Sequence, residues 1–221
     1  MRQATMVDAL PGIIAIFHNI VPGREREFEE WFQHEHLPER MAVSGFLLGR
    51  RHEAISGHPG YFHFYVTQSV EVLKFATYLE RVGKPTPMTR MVMSEILKDV
   101  FRTVCHRTLR LGTMRGTGVV TVRLGERPAE TALKAAIEPL MRDKAVACSE
   151  IWQAADPLEF PVSTEERLRG GDRKIETCLL VETLRISEAE KIAAKLANEF
   201  RKAEVAVYRV LCEAMPDGLQ T

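Results

Sequence analysis

The same order of strands and helices can be read twice along this chain, and that repetition restricts the folds open to it more than any single motif does. In the first half, residues 12–21 form a β-rich run closed by the turn pair Pro22 and Gly23. From Arg24 the spacing of Phe28, Trp31, Phe32 and Leu37 predicts a helix, which Pro38 breaks. Residues 45–55 and 61–67 read as two strands of a hairpin around Ser56, Gly57, His58, Pro59 and Gly60. Ser69 is placed to cap a helix over 70–82, and residues 84–87 end it. After a less regular segment, 88–100, residues 101–111 supply a closing strand. The second half repeats the order: strand 118–124, helix 129–142 with Pro128 in its first turn and Pro139 as a kink, strands 145–154 and 174–184, a helix 188–202 capped by Ser187, and strand 204–214. A polar excursion, 156–172, interrupts this half and is long enough to be a lid or an unstructured loop.

Two βαββαβ units of about 110 residues each fit a chain of 221 residues, with a boundary in the glycine-rich stretch Gly112 to Gly118. The expected domains are 1–112 and 113–221. Each unit is ferredoxin-like, an antiparallel sheet with helices on one face and a second face that needs cover. The expected fold class is therefore α+β: tandem ferredoxin-like lobes whose open sheet faces pack together as one intramolecular α+β barrel.

Thirty basic residues balance thirty acidic ones, and no long basic stripe is interleaved with aromatics, so nucleic acid is not an expected partner. No apolar run approaches a membrane span, and residues 1–10 carry Arg2 and Asp8 without a signal core. The expectation is a cytoplasmic protein with no membrane partner. Cys105, Cys148, Cys178 and Cys212 are widely spaced within apolar or alternating stretches and read as small buried hydrophobes in a reducing compartment. No glycine-rich dinucleotide fingerprint, phosphate loop or nucleophile elbow occurs, so no nucleotide cofactor is implied.

All seven histidines (His18, His34, His36, His52, His58, His63 and His106) lie in the first half. That places the titratable chemistry in one lobe and makes the other a cover. On a regular helix Trp31 and His34 share a side while His36 points elsewhere, so His34 is the candidate general acid/base; the alternative is that both histidines complement the carbonyls at a helix C-terminus. His-Glu-His is not a zinc spacing and no third ligand is evident, so no metal is expected. Residues 61–67 alternate between Phe62, Phe64 and Val66 and the polar-tipped Tyr61, His63, Tyr65 and Thr67. The apolar set is expected to meet the helices, directing Tyr61, His63 and Tyr65 into the barrel as ligand contacts, with His63 a second proton carrier; otherwise these side chains satisfy one another between the sheets. Arg50 and Arg51 are strand neighbours facing opposite ways, so one can hold a carboxylate, unless both are solvated. Asn19, His18 and His106 lie on strands beside the same expected cavity, with their facing open.

The stretch Glu30, Trp31, Phe32, Gln33, His34, Glu35, His36, Leu37, Pro38, Glu39, Arg40, followed by Gly45, Phe46, Gly49, Arg50 and Arg51, resembles bacterial proteins of the dimeric α+β-barrel superfamily near the EthD-like branch. Pro85, Thr86, Pro87, Thr89 and Arg90 add a second matching patch, so the resemblance covers most of residues 12–112, and the second half matches by topology only. The superfamily includes EthD-like proteins, muconolactone isomerases, antibiotic-biosynthesis monooxygenases, stress-responsive barrel proteins and haem-handling enzymes, and it constrains fold more than reaction. It implies a small-molecule ligand, and a homodimer is among the expected assemblies because typical members pair two chains. The expected function is a cofactor-independent enzyme, of isomerase or lyase type, moving a proton on a partly apolar cyclic or aromatic compound. The alternative is a non-catalytic barrel that binds a small ligand or haem.

Overall fold

The computed structural model describes residues 9–216. Eight antiparallel strands close into one barrel in the order β1-β3-β2-β8-β5-β7-β6-β4. The first half supplies β1 (Gly12–Ile20), β2 (Phe46–Ser56), β3 (Tyr61–Thr67) and β4 (Leu97–Leu111); the second supplies β5 (Gly118–Leu124), β6 (Val146–Ala154), β7 (Thr177–Thr183) and β8 (Glu204–Ala214). Two hydrogen-bonded seams join the halves, β2 with β8 and β4 with β6. The long β4 makes the second seam possible: Leu97 to His106 pair with β1, and Cys105 to Leu111 pair with β6. Both seams close within the chain, so the barrel is complete without a second copy.

Helices cover the outer faces. In the first half α1 (Glu25–Trp31) runs through a π-helical turn, Phe32–His36, into α2 (Leu37–Met41). Pro38 therefore does not end the helix: the wider turn shifts the ladder so that Leu37 N–H donates to Phe32 O, and proline sits in the first turn of α2, where it is tolerated. α3 (Ala76–Gly83) follows a 3-10 turn, Val70–Lys74, and the Ser69 hydroxyl makes no capping bond. The irregular segment resolves into α4 (Pro87–Met91), capped by Thr86, and a second π turn, Val92–Ile96. In the second half α5 (Glu130–Ile137) gives way to a 3-10 turn, Glu138–Arg142, where Pro139 cannot donate to the helical ladder. The excursion folds into a 3-10 turn, Pro157–Glu159, and α6 (Thr164–Leu168), while α7 (Ile186–Glu199) starts at Arg185 rather than at a Ser187 cap.

The barrel is filled, which reverses one expectation. Ile13, Ala15 and Phe17 of β1, Phe62, Phe64 and Val66 of β3, Trp152 of β6 and Tyr208 of β8 form one buried cluster inside it. Phe17 stacks on Phe62 at 4.3 Å and Phe64 lies 5.0 Å from Trp152. Tyr61, His63 and Tyr65 consequently face the helices. The strand alternates as expected, but an eight-stranded barrel has an interior just wide enough for side chains to fill, and Phe62, Phe64 and Val66 fill it against Phe17 and Trp152.

Candidate functional site

The polar face of β3 meets the helical layer and lines a small enclosed gap. Trp31 and His36 from the first helix, His63 and Tyr65 from β3, and Arg40 from α2 converge there, with Tyr78, Met93 and Arg102 around them. The gap measures about 30 Å³, enough for one or two waters. The π turn puts His36 in it: residues five apart become neighbours, and the His36 ring lies 4.3 Å from the Trp31 indole. The same extra residue turns His34 outward, where its side chain is 71% exposed and 3.9 Å from Glu30. Helical periodicity chose His34; the π turn substitutes His36. Gly49, opposite Tyr65 on β2, admits this packing, since a Cβ there would lie 3.0 Å from the Tyr65 ring and 2.6 Å from Leu37.

Burial sets the protonation states. His63 lies 5.2 Å from His18, 6.3 Å from His36 and 5.8 Å from Tyr65, ring to ring. Desolvation, then the neighbouring imidazoles and Arg51, hold His63 well below the ordinary histidine value; desolvation and Arg40 do the same to His36. Desolvation pushes the Tyr65 phenol up. At neutral pH the gap thus presents two neutral imidazoles and a protonated phenol. The Tyr65 hydroxyl, His63 Nδ1 and Arg40 Nη1 are buried without a hydrogen-bond partner in the protein.

The second half closes the gap. Glu165 of α6 accepts from Arg40 Nη2 at 2.6 Å, Thr164 Oγ1 donates to Gly83 O at 3.0 Å, and Arg169, which also lines the gap, pairs with Asp172 at 2.6 Å. The 156–172 excursion is therefore an ordered cover lying on the first half.

No family model and no curated protein matches the sequence. Solved structures match in fold. An anthrone oxidase-like protein superposes with a TM-score of 0.60 at 12% identity, over 96% of this chain and 95% of its own. A proposed monooxygenase of Fusobacterium nucleatum subsp. nucleatum gives 0.59 at 9% identity, over 94% and 95%. A proposed chlorite dismutase gives 0.54 at 10% identity, over 92% and 96%. The chain has the dimeric α+β-barrel fold. Likeness at this level establishes the architecture of the α+β barrel and leaves its chemistry to the site.

The other expected site residues are dispersed in the barrel. Arg50 points inward and is bound to Glu182 and Glu213, each at 2.7 Å, because it shares the Leu48 face of β2. Arg51 faces the helices under the rings of Phe28, Phe32 and Tyr61, at 4.8, 5.5 and 5.5 Å, and lines no part of the gap. Asn19 ties the barrel rim together, donating to Asp99 at 2.9 Å and accepting from Gly60 N–H at 2.8 Å. His106 is half-buried opposite Gly12, away from the gap. Among the described residues no group of three or more His, Cys, Asp or Glu is arranged to hold a metal, and no helix is long and apolar enough to cross a membrane.

Sequence reading missed Arg40, Tyr78, Arg102 and the cover residue Glu165. One signal was present: the two motif patches meet. Glu35 accepts from Thr86 at 2.5 Å and Thr89 at 2.7 Å, and Thr89 accepts from the Trp31 indole N–H at 2.9 Å. Nothing local shows that these segments touch, but together they orient the indole against which His36 packs.

Proposed function

We propose that this α+β barrel is a cofactor-independent enzyme that moves a proton on a partly apolar cyclic or aromatic compound, of isomerase or lyase type. The observation that carries the reading is the convergence of His36, His63 and Tyr65 on one gap, with the Tyr65 hydroxyl and His63 Nδ1 unpartnered, beside a larger cleft of about 220 Å³ that shares Arg102 with it and has the room a ring needs. A neutral imidazole presents a free ring nitrogen that accepts a proton; burial weakens it as a base, so the transfer is confined to an acidified proton, and negative charge on a bound substrate would raise the imidazole toward the working range. Tyr65 keeps its proton and can donate to an oxygen on which charge develops. His34, on the exposed face, has no part in this. Proteins of the same fold bearing anthrone oxidase-like and monooxygenase names fit a barrel that takes a small molecule.

The test is a screen of cyclic ketones and phenols for solvent-deuterium incorporation by mass spectrometry. On a substrate so found, H63Q lowers kcat/KM about 100-fold, and H34A leaves it unchanged. Full activity in folded H63Q removes the proton-transfer reading.

A haem does not fit these residues. The imidazoles are suitable axial ligands in kind, but a gap of about 30 Å³ is far below the roughly 300–1,000 Å³ of typical ligand pockets, and the Arg40–Glu165 pair closes it. The purified protein is expected to show no Soret band and no stoichiometric hemin complex in an absorbance titration. A retained chromophore would establish haem binding instead.

A further inference from the structure

The gap that holds His36 and His63 is too small for a ring, yet a larger cleft adjoins it. This cleft measures about 220 Å³ and is walled by Val104, Ala155, Pro157, Phe160 and Val162, with Arg102 at the junction, since Arg102 lines both spaces. The turn 157–162 of the second half walls it, and α6 stands between the two chambers, Glu165 facing the inner and Glu166 the outer.

The charges at the junction are unequal. Arg40 is bound to Glu165 and Arg169 to Asp172, each at 2.6 Å. Among the described residues Arg102 meets no carboxylate within ion-pair distance; its Nη2 donates to the Tyr78 hydroxyl at 2.8 Å, a neutral partner. Beyond it, the Tyr65 hydroxyl, in a residue 1% exposed, is buried without an acceptor, and Arg40 Nη1 makes no hydrogen bond, its nearest carboxylate being Glu39 at 3.9 Å. The Arg102 guanidinium has no carboxylate partner and the Tyr65 hydroxyl of the same gap has no acceptor, and a planar carboxylate at the mouth would serve the guanidinium.

We infer that the substrate is an aromatic or cyclic carboxylic acid, with its ring in the outer cleft between Val104 and Phe160 and its carboxylate held by Arg102 at the mouth of the inner gap. This rests on the proton-transfer reading of the same site and adds the class of molecule it takes.

Isothermal titration of the full chain with phenylacetate and its uncharged isostere phenylacetamide tests it. Wild type is expected to bind phenylacetate about tenfold more tightly or better. R102Q loses that preference, and R102K, which keeps the charge without the fork, retains part of it; circular dichroism confirms that both are folded. Equal binding of the two compounds by wild type, or a preference unchanged in R102Q, overturns the carboxylate assignment and leaves the proton-transfer reading standing. Binding of neither compound at millimolar concentration also overturns the carboxylate assignment, and the proton-transfer reading then stands or falls by the deuterium screen and H63Q. A preference for phenylacetate alongside full activity of H63Q keeps the carboxylate site and removes the proton transfer.

Discussion

Acidification from about pH 7.5 to about pH 5.5 is expected to cost this protein about 5 kcal/mol of folding stability. Four histidines, His18, His36, His52 and His63, are buried, each 5% exposed or less. Burial lowers His18 and His52 to about 3, against backbone hydrogen bonds that act in the other direction, and holds His36 and His63 well below the usual value. In the unfolded chain each takes a proton near its ordinary value of about 6.5. The unfolded state therefore binds more protons throughout the interval between the two values. The stability is present above about pH 6.5 and is lost as pH falls toward the folded values, at about 1.4 kcal/mol per histidine over the interval from about pH 7.5 to about pH 5.5. Glu182, which the folded protein also prefers ionised, enters only below the ordinary carboxylate range and does not blur the window. Urea denaturation at the two pH values measures the loss, and H52Q, outside the candidate site, should reduce it by about one quarter. Equal stability at both pH values would mean that these imidazoles are not buried as neutral groups.

The second large effect lies inside the barrel. Glu182 is completely buried; it is ion-paired with Arg50 at 2.7 Å and accepts from Arg115 and from Gly116 N–H at 2.7 Å each. Burial alone would push its carboxyl up; the two guanidiniums and the amide bring it below the usual range instead. Glu150, also fully buried, is bound by Arg110, lies 3.5 Å from Arg107 and 3.8 Å from Arg115, and accepts from the Trp152 indole at 2.7 Å. E182A leaves Arg50 with the Gly116 carbonyl and the partly exposed Glu213, and leaves Arg115 with Glu150 at 3.8 Å as its remaining carboxylate among the described residues. Loss of one partner from a buried pair costs about 3–5 kcal/mol, because the remaining charge is stranded in a medium that solvates it poorly. R50M/E182M, which removes the stranded Arg50 charge as well, is expected to recover part of that loss, with the remainder set by Arg115 and Gly116 N–H, which still lack their acceptor. Denaturant midpoints with unchanged slopes give both values. An E182A protein within about 1 kcal/mol of wild type would show that water reaches this cluster.

The interior cluster also shows where local pattern stopped being informative. Arg50 and Arg51 were correctly placed on opposite faces of a strand, since alternation follows from the pleat alone. Which arginine meets a carboxylate depends on Glu182, 132 positions further along the chain, and no spacing rule encodes that contact. His34 and His36 fail differently. The regular helix was a sound reading of Phe28, Trp31 and Phe32, but one residue inserted as a π turn exchanges the inward histidine for the outward one.

The amino-acid order by itself determined the doubled βαββαβ plan, the α+β barrel made from one chain, the two-faced character of residues 61–67 and the confinement of the histidines to the half where the candidate site lies. These follow from short-range periodicity, turn residues and the need of each sheet to cover its open face. Only the tertiary structure decided which face of β3 turns inward, that His36 replaces His34, and that 156–172 lies over the first half as a cover. Those outcomes depend on which surfaces exclude water from one another, and that competition is settled between segments far apart in the chain.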